Sequence, residues 1–230
     1  MLTTNKLTAK YGDFQALFDI TMTLERGETV SIIGSNGAGK STFLRSLAGL
    51  IKNRPDAITF NNAAIGNLTA NQVLERGIAL VPEGRRLFSS LTVEENLKIG
   101  AYRKRPGHWS LDRIYALFPV LTTLRARPGT ALSGGQQQMV AIGRALMSNP
   151  LLLLCDEISL GLAPTTIKDI YAALPSIKAD GTTVILVEQD INQALTVSDR
   201  FYCFQEGRVS LTGRPGEVDM AHIKAAYFGV

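Results

Sequence analysis

Eight consecutive residues restrict this chain more than anything else in it. Gly34-Ser35-Asn36-Gly37-Ala38-Gly39-Lys40-Ser41 fills the pattern G-x-x-x-x-G-K-[ST] at every fixed position. The flanks give the pattern its meaning. Glu28 to Ile33 reads as a buried strand, and after the glycines Phe43, Leu44, Leu47 and Leu50 recur at i, i+1, i+4 and i+7. That spacing places a helix from near Lys40 to about Gly49. A strand that turns through glycines directly into a helix belongs to a layered α/β sheet.

The rest of the chain extends this theme. Paired strands are expected within Leu2 to Thr8 and Ala16 to Glu25. Thr69 and Gln72 have capping-box spacing for a short helix ended by Gly77, and Ile78 to Val81 is a buried strand stopped by Pro82. From Thr92 to Asn149 strand signals vanish, and helical patterns begin at Thr92, Ser110 and Ser133. Strands return with Leu151 to Cys155, followed by a helix from Pro164 to Ala179 and the strand Thr183 to Glu188. Asp190 and Gln193 are spaced to cap a helix reaching Ser198, after which a hairpin turns at Glu206-Gly207 and a last helix closes near Phe228.

The predicted architecture is therefore α/β, with a mostly parallel central sheet covered on both faces, an N-terminal antiparallel β portion and an inserted all-helical subdomain. One domain spans 1–230, with the core in about 1–90 and 150–230 and the helical subdomain in about 91–149.

Composition narrows the functional classes. With 45% apolar and 19% charged residues in a chain of 230, a single globular core is expected. The formal charge of +4 is mild and dispersed, apart from Arg103-Lys104-Arg105, which reads as a solvated face and not a nucleic-acid surface. Cys155 and Cys203 lie in apolar strand-like runs, as reduced core residues of a cytosolic protein do. Met1 to Lys10 holds no apolar leader core, and no stretch reaches the roughly eighteen apolar residues of a spanning helix. A protein neither secreted nor membrane-spanning is expected, one that can still dock on a membrane protein.

Three stretches carry chemistry. In the glycine loop, successive backbone N–H groups converge on phosphate oxygens, Lys40 reaches the β- and γ-phosphates, and the Ser41 hydroxyl ligates Mg²⁺. Leu151 to Glu157 is a buried strand ending in paired carboxylates. Asp156 is placed to hold Mg²⁺ and Glu157 to orient and polarise an attacking water. Ser133-Gly134-Gly135-Gln136 opens a helix whose apolar face includes Met139, Ile142 and Leu146. Ser133 and Gln136 alone make an ordinary capping box, but the two glycines cost helix stability and expose backbone N–H groups, as a second anion site requires.

With these residues in order, the chain resembles the nucleotide-binding subunit of ABC transporters over its full length. "GSNGAGKST" is similar to that family's Walker A motif, "LLLLCDE" to its Walker B and "LSGGQQQ" to its signature. The resemblance implies a P-loop NTPase fold and an ATPase using ATP and Mg²⁺. It also implies two subunits meeting head to tail, each ATP lying between one Walker A and the partner's signature. ATP would then contact Gly34, Ser35, Asn36, Gly37, Ala38, Gly39, Lys40, Ser41 and Thr42, with adenine on Tyr11. Ser133, Gly134, Gly135 and Gln136 would face the partner's γ-phosphate.

Within the family, "VPEGRRLFSSLTVEENL", "SLGLAP" and "LVEQD" are similar to the second ATPase of bacterial branched-chain amino acid importers. That resemblance implies two transmembrane permease subunits and a second ATPase as partners, and indirectly a solute-binding protein. No nucleic acid is implied, the chain would sit on the cytoplasmic face of the membrane, and the docking surface would lie between the lobes near Glu83 to Leu91.

The same stretches depart from the general pattern. Glu83 replaces a Mg²⁺-contacting glutamine and joins Ser41 and Asp156 as a metal candidate, and Ala163 replaces an aspartate. Gln189 replaces the switch histidine, and Ile158 a proline. Lys40, Glu157 and Gln189 are the catalytic candidates. Phosphoryl transfer depends mainly on positioning and charge neutralisation, so Gln189 can serve by donating its amide to the γ-phosphate. Within TVILVEQD, Asp190 is a helix cap and Glu188 a strand-end carboxylate with no role.

Three alternatives stand. The first is an importer of urea or short amides. A soluble ABC ATPase acting on DNA or ribosomes is opposed by the absence of sustained heptads between Lys40 and Ser133. A non-hydrolysing switch is suggested by Glu83, Ala163 and Gln189 and opposed by the intact Lys40, Asp156 and Glu157.

Overall fold

The computed structural model describes residues 1–229. Strands β1 (Leu2–Tyr11) and β2 (Phe14–Leu24) form a long antiparallel pair, and β3 (Thr29–Ile33) feeds α1 (Lys40–Leu47). Short strands β4 (Ile58–Phe60) and β5 (Ala63–Ala64) precede α2 (Ala70–Glu75) and β6 (Ile78–Val81). Four helices then form a lobe: α3 (Val93–Gly100), α4 (Leu111–Leu117), α5 (Val120–Leu124) and α6 (Gly134–Leu146). The chain returns through β7 (Leu152–Asp156), α7 (Pro164–Ala179), β8 (Thr183–Glu188) and α8 (Ile191–Val197). It finishes with β9 (Arg200–Gln205), β10 (Arg208–Gly213) and α9 (Met220–Phe228).

Local chemistry sets most of these boundaries. Complete capping boxes start α2 at Thr69, α3 at Thr92 and α6 at Ser133, and Pro164 occupies the first turn of α7. Strands β1 and β2 run further than the sequence suggests because pairing continues to Tyr11 opposite Phe14 at the hairpin end. The basic triplet also differs from expectation. Arg105 is half-buried and donates to the carbonyls of Asn149 and Glu75, while Arg103 pairs with Glu75. Arg103 and Lys104 stay exposed, as residues of a solvated face do, and Arg105 alone turns inward, because the backbone carbonyls at the end of α2 and just beyond α6 need donors.

The central sheet has the order β10-β9-β3-β8-β7-β6, parallel except for β10. Every residue of β3, β7 and β8 is buried, as strands covered on both faces must be. On one face α1 inserts Phe43, Leu44 and Leu47 between this sheet and a second, antiparallel sheet of order β2-β1-β4-β5. Phe43 meets Phe204 edge to face at 5.4 Å, and truncating so buried a ring to alanine costs about 3–5 kcal/mol. On the other face Leu153, Val184 and Leu186 pack with Met139 and Ile142 of α6 and Ile170 and Leu174 of α7. Among the described residues no helix is long and apolar enough to cross a membrane.

Register carries the chain to its site. Ile33 lies opposite Glu188, Val187 opposite Asp156, and Cys155 opposite Val81. Four strands therefore release Gly34, Gln189, Glu157 and Pro82-Glu83 side by side at one sheet edge. Open α/β sheets bind ligands at this edge.

Candidate active site at the strand ends

Helix α1 begins without any side-chain cap. Its N-cap is Gly39 at φ 98°, a left-handed conformation in which a Cβ would also lie 2.7 Å from the Leu17 side chain. The first N–H groups of α1 are thus unclaimed by the helix itself and carry its partial positive charge. Lys40 is buried at the start of the helix, where its Nζ donates to the Gly34 carbonyl at 2.8 Å and the Ser35 carbonyl at 3.1 Å. Glu157 Oε1 stands 3.4 Å from the same ammonium, so the buried cation is paired.

Ser41 Oγ donates to Asp156 Oδ1 at 2.9 Å. Burial pushes the Asp156 carboxyl above its ordinary range; the Ser41 bond opposes this, and the nearby Glu157 and Glu83 charges add to it. The donor set fits Mg²⁺: one hydroxyl and one carboxylate suit an ion that keeps its remaining positions for phosphate and water. No group of three or more His, Cys, Asp or Glu that could hold a metal ion occurs among the described residues.

Glu157 itself sits at φ 49°, with its N–H on the Val187 carbonyl at 3.1 Å. Its Oε2 accepts the Gln189 amide at 2.6 Å, and Tyr227 of α9 donates to the Gln189 carbonyl at 3.3 Å. Glu157 and Gln189 line a cleft of about 860 Å³ together with Asn36 to Thr42, Tyr11 and an exposed Glu83. Tyr11 and Thr42 share a hydroxyl–hydroxyl hydrogen bond at 3.4 Å. A glycine loop, a cation and a carboxylate in one cleft, with the buried Asp156 bonded to Ser41 on its wall, are the parts that phosphoryl transfer requires.

Known proteins point the same way. The family model described as ABC transporter matches residues 17–159. The chain belongs to the ABC transporter family. It is an ATP-binding cassette, and an ATPase. Over 91% of its length it is 44% identical to the high-affinity branched-chain amino acid transport ATP-binding protein BraG of Pseudomonas aeruginosa, covering 91% of that protein. It is 35% identical to the probable branched-chain amino acid transport ATP-binding protein LivF of Archaeoglobus fulgidus, with 95% and 94% of the two chains covered. A dimeric ATP-binding cassette solved in a post-hydrolysis state with ADP and Pi matches at TM-score 0.83 and 28% identity, covering 95% of this chain and 100% of that one.

The stretch resembling the ABC signature lies elsewhere. Ser133 to Gln136 form the start of α6, and none of the four lines the cleft. Here the structure supplies a reason for Gly135 that the sequence did not: a Cβ would stand 2.1 Å from the Thr166 methyl of α7. Arg85 packs against Gly134 and reaches Gln137 at 3.4 Å, tying the segment after β6 to this helix.

Several cleft residues have no counterpart in the sequence motifs. Phe14, Phe18, Glu206 and Gly207 also line it. They arrive because the β9–β10 turn is bonded to the phosphate loop and to β2, through Gly207 N–H on the Ala38 carbonyl and Phe18 N–H on the Gly207 carbonyl. The turn residues Glu206-Gly207 were the available signal, but their contact with the loop is tertiary. Glu188 also changes status. It is buried, accepts the Ser159 hydroxyl at 2.7 Å, and is held above its ordinary pKa by desolvation. Its Oε1 lies beside the Tyr171 hydroxyl, whose interaction favours the carboxylate and opposes the desolvation, and neither atom has another partner.

Proposed function

We propose that this ATPase powers an importer of branched-chain or other hydrophobic amino acids from the cytoplasmic face of the membrane. The observation that carries the reading is the full-length similarity to two branched-chain amino acid transport ATP-binding proteins, together with a cleft in which Glu157 is bonded to both Lys40 and Gln189 and Ser41 to the buried Asp156.

In this reading ATP occupies the cleft, its phosphates on the N–H groups of Gly34 to Thr42 and its adenine on Tyr11. Ser41 and Asp156 would hold Mg²⁺, with Glu83 beside them, and the ion would supply charge neutralisation at the phosphates. Lys40 turns from its carbonyl partners toward the β- and γ-phosphates. Glu157 polarises the attacking water, and Gln189 moves its amide from Glu157 to the γ-phosphate. The site is completed in trans, because Ser133 to Gln136 lie outside the cleft of their own chain. A second ATPase subunit, this chain or a related one, brings them to the γ-phosphate head to tail.

Two transmembrane subunits would dock in the groove between the lobes. An apolar hollow of about 300 Å³ there is lined by Leu50, Phe88, Ile99 and Tyr102, all exposed. Exposed apolar groups gathered in one groove mark an interaction site. A solute-binding protein acts indirectly, through those subunits.

Co-purification tests the reading: the tagged chain should bring down two permease subunits and a second ATPase, and the assembled complex should raise ATP turnover when a branched-chain amino acid is supplied. Stimulation by urea or a short amide alone would transfer the assignment to that class. The Gln189 role predicts a rate without a histidine-type step across neutral pH; a step abolished by Gln189→Ala would overturn it.

A further inference from the structure

Glu157 occupies a conformation that non-glycine residues adopt sparingly, and such positions persist only when their surroundings hold them. The turn that carries it closes through Leu160 N–H on the Glu157 carbonyl at 3.2 Å. Its apolar anchor is Ile158, buried in the core below. Its polar anchors come from β8. Val187 accepts the Glu157 N–H, and the next residue, Glu188, accepts the Ser159 hydroxyl at 2.7 Å. The residue after that, Gln189, holds the Glu157 carboxylate. The last two residues of β8 and the residue that follows it therefore fasten the backbone, the turn and the side chain of Glu157.

The middle fastening is unlike the other two. A carboxylate this deeply buried is costly, and an alternative strand residue such as valine would pack without that cost. Its retention here coincides with the one hydroxyl of the turn. We propose that Glu188 is a positioning residue for ATP hydrolysis, holding the turn that carries Glu157 through its buried hydrogen bond to Ser159. The proposal rests on the reading of Glu157 as the water-polarising carboxylate. It requires an acceptor and not a charge: in Glu188→Gln the amide oxygen can still accept from Ser159 while the NH₂ takes the place of Oε1 beside the Tyr171 hydroxyl, which can accept from it.

The test compares ATP turnover and ATP affinity of the full chain, alone and with its membrane subunits, for S159A, E188A, E188Q and E157Q. A displaced general base costs rate more than binding. S159A and E188A should each lower kcat roughly tenfold with ATP affinity within about twofold, and E188Q should return kcat to within about threefold of the unaltered chain. Full activity of S159A and E188A alongside an inactive E157Q would overturn the role of Glu188 and leave that of Glu157 standing. So would loss of ATP affinity in step with kcat, or an E188Q as slow as E188A. Undiminished turnover in E157Q would remove the Glu157 reading and this proposal together. If E188A does not fold, S159A decides the same point, because it removes the bond and leaves the buried carboxylate in place.

Discussion

Two helices of this chain start with glycine, and their first turns are built in opposite ways. At α1 the N-cap is Gly39, no side chain caps the helix, and three carboxylates, Asp156, Glu157 and Glu188, stand behind it at the strand ends. At α6 the N-cap is Ser133, the capping box with Gln136 is complete, and the glycines are packed against Thr166 and Arg85. One start leaves its N–H groups for a ligand inside its own chain. The other satisfies part of them locally and stays half-exposed, outside the cleft. Glycine therefore has two meanings here: at Gly39 it permits a backbone turn, and at Gly135 it permits a close approach of two helices.

Lys40→Ala should break the contrast most sharply. It removes the only buried cation beside Glu157 among the described residues, so turnover should fall at least about a hundredfold, with ATP affinity reduced, as titration with ATP would read. An equivalent loss from the α6 side is not expected within a single chain.

Gly135→Ala comes next. Its methyl group meets Thr166, so the variant should lose about 1–3 kcal/mol by denaturant unfolding, and Thr166→Ser should recover much of that by removing the clashing methyl. Equal loss in the double variant would mean that the glycine serves the backbone and not the contact.

Ser133→Ala removes a cap that α1 never had. Its cost should be about 1 kcal/mol, read as a lower unfolding midpoint, with ATP binding to the isolated chain unchanged.

The smallest effect concerns the charge behind α1. Burial raises the Glu188 pKa, so the folded chain holds this proton to higher pH than the unfolded chain does. Its contribution to stability is complete below the ordinary carboxylate range and is lost as pH rises through the raised value. Glu188→Gln should therefore have the higher midpoint at neutral pH, the two chains converging in acid. Thermal unfolding at several pH values reads this directly.

The contrast between the helix starts was half legible in the sequence. The capping boxes, the phosphate loop and the bounds of α7 came through because each is local chemistry: a side-chain oxygen three residues before its partner, or a proline at a first turn. The strands β4 and β5 carried too few residues for a period to show, and α5 is only five residues long. The packing reason for Gly135 was out of reach because its neighbour in space, Thr166, lies thirty-one residues on. Glu188 looked idle for a similar reason. A carboxylate at a strand end reads as the chain leaving the core, and only the register of β8 against β7 brings Ser159 to it. Motif spacing named the reacting groups; it could not name what holds them.

ATP turnover of Glu157→Gln tests the central claim most directly, since every assignment in the cleft converges on that carboxylate. The account predicts a fall of roughly 10²- to 10⁴-fold with ATP still bound and the subunits held as a dimer. Turnover equal to that of the unaltered chain would contradict it.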